Sequence, residues 1–126
     1  MPKRASQAEH DSMVEFLADA LYGRDMKDVT ADIPGYKRPQ TITLPGYKDG
    51  HTPDVTAYDG NQLIIYEVET ADSINDPHTE EQWKLFAEYA LQNNAVFYVT
   101  VPPMEIASAR KRVKELNLDI KVVTVP

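Results

Sequence analysis

Three carboxylates lie close together in the stretch from His51 to Thr70. Asp54 follows a proline, and Glu67 and Glu69 come directly after the apolar run LIIY. Grouped carboxylates repel one another unless they are hydrated, protonated or neutralised by a cation. Their oxygens suit a hard divalent ion such as Mg²⁺, which uses few carboxylates and keeps several waters. The residue types therefore point to metal-assisted chemistry. The simpler alternative is that both glutamates mark where a strand leaves the core and meets water.

Convergence of these groups depends on a β-hairpin. An Asp-Gly dipeptide between two β-prone runs predicts such a hairpin over residues 53–70. A two-residue turn there pairs Asp54 with Ile65. Because side chains alternate across a strand, Asp54, Glu67 and Glu69 then share one face. Asp54 and Glu67 are diagonal neighbours in this register, about 7–8 Å apart.

The rest of the sequence predicts the elements that must position these groups. Periodicity and turn signals indicate the order α-β-β-β-α-β-α-β within a single domain over residues 1–126. Strand–helix–strand connections after the hairpin require parallel pairing, so the predicted fold class is α/β, a mixed central sheet flanked by helices. The predicted helices span 6–22, 80–93 and 104–117, and the extended or strand segments span 29–44, 53–58, 62–70, 95–101 and 120–125.

The first predicted helix brings a further polar group toward the sheet. Ser6 and Glu9 have the spacing of a capping box. At about 100° per residue, Glu9 and His10 both project within the apolar stripe, whereas Glu15 faces solvent. Either Glu9 or His10 is therefore expected to point inward, and the simpler alternative is a hydrated first turn in which Glu9 suits the helix dipole.

Composition limits the classes of partner and compartment. The net charge of −7 argues against binding nucleic acid by charge alone. There are no cysteines, which excludes disulfides and Cys-ligated zinc. No apolar run reaches membrane-span length, and the basic Met1-Pro2-Lys3-Arg4 segment does not read as a signal peptide. We therefore expect a cytoplasmic protein without a membrane partner.

A repeated tetrapeptide supplies candidate basic contacts. Pro-Gly-Tyr-Lys occurs twice and predicts two tight turns. The simple interpretation is two unrelated turns. The alternative is a pair of basic and aromatic loops flanking a substrate groove, in which the nucleic-acid contacts would come from Lys37, Arg38, Lys48 and His51.

The motif and the order of elements resemble the PD-(D/E)XK nuclease superfamily, whose members are restriction-endonuclease-like. Pro53-Asp54 and Glu67-Val68-Glu69 stand where that motif falls, and the family core order matches residues 6–101. The resemblance implies a Mg²⁺- or Mn²⁺-dependent nuclease acting on nucleic acid, with DNA favoured over RNA and internal cleavage over end cleavage. Asp54 and Glu67 would bind the metal. Glu9 would be an accessory ligand, and Gln82 would lie beside the site. Many proteins of this fold dimerise to cut two strands, so a homodimer is a further expectation.

The sequence departs from the family pattern at one position, where Glu69 replaces the usual lysine. A minority of active restriction enzymes also carry glutamate there, so Glu69 would act as a general base or as a ligand to a second metal. The main alternative is an inactive member of the same fold that binds nucleic acid or another protein. A third interpretation, an unrelated small α/β interaction protein, would place Asp54 and Glu67 on opposite faces of the sheet.

Overall fold

A five-stranded mixed sheet with helices on both faces forms the framework of the protein. The computed structural model describes residues 6–125, and the basic residues at positions 1–4 lie outside this range. The helices are α1 (Gln7–Gly23), α2 (Pro77–Asn93) and α3 (Ile106–Leu116), with a short 3-10 turn at Pro103–Glu105. The strands are β1 (Lys27–Ala31), β2 (Val55–Asp59), β3 (Gln62–Val68), β4 (Val96–Val101) and β5 (Lys121–Thr124).

The strands lie in the sheet in their sequence order. β1, β2 and β3 form an antiparallel meander, whereas β3, β4 and β5 run parallel to one another. Parallel neighbours need a crossover, which α2 and α3 supply. The predicted element order and the mixed sheet are therefore confirmed.

The sheet separates two apolar cores. One face packs against α1 through Val14, Leu17 and Leu21, which contact residues such as Tyr66 and Val68. The opposite face carries the larger side chains of α2 and β4, with Trp83, Phe86, Phe97 and Val99 among them, and Ile65 of β3 packs in the same core. Successive residues of β3 therefore point into different cores, so Glu67 belongs to the α2 face and Val68 to the α1 face.

The hairpin register differs from the predicted one by two residues. Asp59 pairs with Gln62 and Val55 with Tyr66, so the turn is Gly60-Asn61. Gly60 has a φ of +61°, which glycine adopts without steric cost, and Asp59 therefore stays in the strand. Asp54 consequently lies level with Glu67 rather than with Ile65. A shift of two residues keeps every strand residue on its face, and Asp54 itself lies just before β2, where its side chain reaches the Val68 backbone N–H and His10 of α1.

Two helix starts differ from those predicted. α2 begins at Pro77, because Asp76 accepts a hydrogen bond from the His78 backbone N–H and proline suits the first helical position. The helix therefore starts three residues before the predicted residue 80, and Thr79 is buried in its first turn. Ser6 precedes α1 but makes no side-chain cap, since its hydroxyl is hydrogen-bonded elsewhere, and the Ser6 capping box was therefore wrong.

The predicted extended segment 29–44 is mostly not in the sheet. Only residues up to Ala31 belong to β1, and a separate two-residue bridge pairs Ile42 with His51. Ile42 is buried in the α2-side core, so this segment covers the sheet instead of extending it. Within residues 6–125, none of the helices combines the length and apolarity needed to cross a bilayer.

Candidate functional site

Asp54 and Glu67 meet where β2 begins and β3 ends. The Asp54 backbone N–H donates to Glu67 Oε1 at 2.9 Å, and the Val68 N–H donates to Asp54 Oδ2 at 2.8 Å. Each carboxylate is thus fixed by a backbone donor of the opposite strand. The Asp54 side chain is 15% exposed and Glu67 is 3% exposed. Burying carboxylates costs several kcal/mol per group unless they are compensated, so this pair needs cationic or hydrogen-bond partners.

His10 is the residue of α1 that contacts this pair. Its Nε2 lies 3.2 Å from Asp54 Oδ2, and its Nδ1 lies 3.0 Å from Asp11 Oδ1. Each ring nitrogen therefore lies within hydrogen-bond distance of a carboxylate oxygen, which accepts from it where the nitrogen carries a proton. Glu9 is exposed on the first turn. Of the two alternatives that the helix left open, His10 therefore points inward, and a ligand role for Glu9 stays a prediction.

Glu69 is built into the core beneath α2. The residue is 1% exposed, and its backbone N–H donates to the Thr100 carbonyl at 2.9 Å. Its Oε1 accepts from the Ser73 hydroxyl at 2.6 Å, and its Oε2 accepts from the Trp83 indole N–H at 3.1 Å. Both oxygens are therefore held by protein donors. This arrangement gives Glu69 a packing role whether or not it also acts on water.

A polar network ties α1 to the loop that follows β3. The Ser6 hydroxyl donates to Asp72 Oδ1 at 2.6 Å and lies 2.6 Å from the Thr70 hydroxyl, which also donates to Asp72. Ser73 closes the turn, because its N–H donates to the Thr70 carbonyl at 3.0 Å. These contacts fix the N-terminal turn of α1 above the end of the sheet, and that position places His10 beside Asp54.

The remaining candidate residues lie outside this cluster. Gln82 is half-buried on α2, where Trp83 is the residue that contacts Glu69. The two basic segments line different cavities. Lys37 and Arg38 line one of about 540 Å³, whereas Lys48 and His51 line a smaller one of about 210 Å³. Binding of nucleic acid by these residues stays a prediction.

A divalent ion at this site would need suitably placed oxygen or nitrogen ligands. Among residues 6–125, no three His, Cys, Asp or Glu side chains are grouped as a metal site. Mg²⁺ does not require three, since it is commonly held by one or two carboxylates together with waters and substrate phosphates. Asp54 and Glu67, already oriented by backbone donors, fit that smaller requirement.

Two features of the site were missed from the sequence. The first is the Trp83 indole, whose buried N–H needs an acceptor and finds it in Glu69. The roles of Ser6 and Asp72 could not be read from spacing, because they are 66 residues apart and join only through the fold. The sequence feature that could have indicated them is the short polar segment that follows the buried strand β3.

Comparisons with known proteins provide no family for this chain. No protein-family model, curated protein or solved structure matches it. The class that can be stated is an α/β protein with a five-stranded mixed sheet flanked by helices.

Proposed function

We propose that the protein is a Mg²⁺- or Mn²⁺-dependent phosphodiesterase that acts on nucleic acid, as a DNA endonuclease of the PD-(D/E)XK type. The observation that carries the proposal is the meeting of Asp54 and Glu67 at one end of the sheet, each oriented by a backbone N–H of the other strand. The restriction-endonuclease-like assignment is supported by the element order and by the positions of the motif residues, which lie just before β2 and at the end of β3.

In this proposal each polar residue has a defined task. Asp54 and Glu67 hold the metal, and their backbone donors keep the carboxylates in place. His10 supports Asp54 from α1 and limits the water that reaches it. Glu69 keeps Ser73 and Trp83 in position behind the pair and is the candidate group to orient a water. When bound, the metal activates a water and neutralises charge on the scissile phosphate.

Metal-dependent cleavage tests the proposal. Purified protein is expected to cut supercoiled or single-stranded DNA with Mg²⁺ or Mn²⁺ and to stop when EDTA is added. Asp54→Ala and Glu67→Gln should each lower the rate by about a hundredfold or more, because metal stabilisation of the transition state is worth several kcal/mol. The matched control is Asp59→Ala, at an exposed aspartate on the same hairpin. Undiminished cleavage by Asp54→Ala would show that the site assignment is wrong.

A second candidate function is favoured by one observation at Glu69. Both of its carboxylate oxygens accept hydrogen bonds from core groups, and no lysine stands at this motif position. The protein would then be an inactive member of the fold that binds nucleic acid or protein. DNA binding that survives EDTA, without cleavage in any divalent ion, would favour this candidate. Sedimentation of the purified chain would test the predicted homodimer separately.

A further inference from the structure

A polar trough lies beside α2, over the part of the sheet that this helix leaves uncovered. Thr30 pairs with Thr56, and Tyr58 pairs with Leu63, so all four side chains share the α2 face of the sheet. Tyr89 of α2 borders the trough on one side, and the segment 37–43 borders it on the other. Its volume of about 540 Å³ lies within the range of about 300–1,000 Å³ usual for small-ligand sites.

The lining combines groups that recognise different parts of a nucleotide. Lys37 and Arg38 supply positive charge for a phosphate. Tyr58 is 38% exposed, so one face of its ring is accessible for stacking on a base. Hydroxyl and amide groups for hydrogen bonding with sugar and base edges come from Thr43 and Gln40. The Thr30 and Thr56 hydroxyls bond to each other and Thr41 bonds to Thr52, but a hydroxyl has two acceptor lone pairs and can also accept from a ligand.

The charges around the trough are not all favourable to an anion. Asp28 also lines it, and Arg38 forms an exposed ion pair with Asp32 at 3.3 Å. Such an exposed pair is weak, so Arg38 can exchange Asp32 for a phosphate at little cost. The carboxylate of Asp28 repels an anion in the trough. A neutral replacement of Asp28 should therefore bind an anionic ligand more tightly.

The trough is close to the candidate carboxylates. Thr56 lies two residues after Asp54, which is roughly 7 Å along an extended chain. Tyr58 lies four residues after Asp54, or roughly 13 Å, so a strand whose base stacks on Tyr58 can reach Asp54 and Glu67 with a phosphate further along the strand. A base held against Tyr58 must be unpaired, because a duplex keeps its bases stacked inside the helix.

We propose that this trough binds one nucleotide of a single-stranded nucleic-acid segment, with its base on Tyr58 and its phosphate on Lys37 and Arg38. The inference rests on the proposed function, and it names the substrate class as single-stranded or locally unpaired nucleic acid. The short distance from Thr56 to Asp54 connects binding to the site of cleavage.

Binding is measured by fluorescence anisotropy with a labelled single-stranded deoxyoligonucleotide in EDTA, so that no cleavage intervenes. Tyr58→Ala should weaken binding about tenfold, as expected for the loss of one base–aromatic stack, whereas Tyr58→Phe should retain it. Lys37→Glu with Arg38→Glu should weaken binding about tenfold or more, and Asp28→Asn should strengthen it. The matched charge control is Arg110→Glu with Lys111→Glu, at two exposed positions of α3.

Several outcomes would overturn the inference. The first is an equal loss of affinity in the α3 control variant. The second is equal affinity of Tyr58→Ala and wild type, once circular dichroism shows that the variant is folded. The third is equal affinity of the protein for the single strand and for the annealed duplex. If a mononucleotide displaces the labelled strand as well as an unlabelled oligonucleotide does at the same molar concentration, the trough does not require a nucleic-acid strand, and that part of the inference would be wrong. Failure here with intact Asp54-dependent cleavage would reject the trough alone. Trough binding without metal-dependent cleavage in any condition would reject the proposed nuclease function alone.

Discussion

Glu69 is the residue whose environment changes its interpretation most. The sequence predicts a carboxylate on the same face as Glu67, and the contact of Glu69 with Trp83 places it beneath α2. It does not predict that the Ser73 hydroxyl and the Trp83 indole both donate to this carboxylate. Hydrogen-bond partners far apart in the chain depend on how α2 packs on the sheet, which side-chain spacing within β3 cannot specify.

Substitutions at Glu69 separate packing from chemistry. Glu69→Gln should change the free energy of unfolding by less than about 1 kcal/mol, because the amide oxygen can accept from Trp83 while the amide donates to the Ser73 hydroxyl. Glu69→Leu should cost about 1–3 kcal/mol, since the buried indole N–H then loses its acceptor, whereas the Ser73 hydroxyl can still donate to the Thr70 carbonyl. Urea unfolding followed by fluorescence of Trp83, the single tryptophan, measures both.

The opposite order of stability would contradict this explanation. The same stable Glu69→Gln protein also tests the role of the residue in the proposed reaction. Because an amide cannot accept a proton from water at neutral pH and binds a metal less well than a carboxylate, loss of cleavage would assign Glu69 to the reaction, as a base or as a ligand to a second metal. Retained cleavage would limit Glu69 to its structural role, the hydrogen bond that joins it to Trp83 of α2.

At the scale of elements, the segment 42–51 is fastened to the start of α2 by aromatic contacts. The His51 ring meets the His78 ring edge-to-face, with centroids 5.3 Å apart, and lies 6.4 Å from the Phe86 ring. Two backbone hydrogen bonds join His51 to Ile42 at 2.8 and 3.0 Å. Burial, followed by the charge of His78, lowers the pKa of His51 below its usual 6.5.

This contact should make stability depend on pH. A lowered pKa means that the unfolded chain binds more protons than the folded one, so stability is full above about pH 6.5 and falls as the pH drops below it. His51→Gln should remove this part of the dependence. Urea unfolding of both proteins between about pH 7.5 and pH 5 measures it, with His10 and His78 common to both. Parallel profiles would show that His51 does not contribute.

The elements themselves were predicted unevenly, for reasons that particular residues explain. The apolar run after Asn94 predicted β4 well, because a strand covered on both faces has no polar alternation. The predicted start of α2 lies three residues too far along the chain. Asp76 caps the helix and Pro77 begins its first turn, although both belong to a polar segment that is also typical of a loop. Segment 37–44 was expected to be extended, but Ile42 is buried by packing over the sheet.

At the scale of the whole molecule, the order of helices and strands along the chain limits how the strands can be arranged in the sheet. A hairpin followed by two strand–helix–strand units allows few arrangements, and the observed order β1 to β5 is one of them. The cluster around Asp54 could be predicted only in part, since the carboxylates share a strand pair whereas His10 arrives from α1. A net charge of −7 also requires that any nucleic acid be bound through local cations such as Lys37 and Arg38 or through a divalent ion.

The most direct test of the central claim is the position of Mn²⁺ in crystals of the protein, located by anomalous scattering. The proposal predicts one peak within ligand distance of carboxylate oxygens of both Asp54 and Glu67, and its loss in Asp54→Asn crystals treated in the same way. Absence of a peak at saturating Mn²⁺, or a peak only at other acidic residues, would contradict a metal site at this pair.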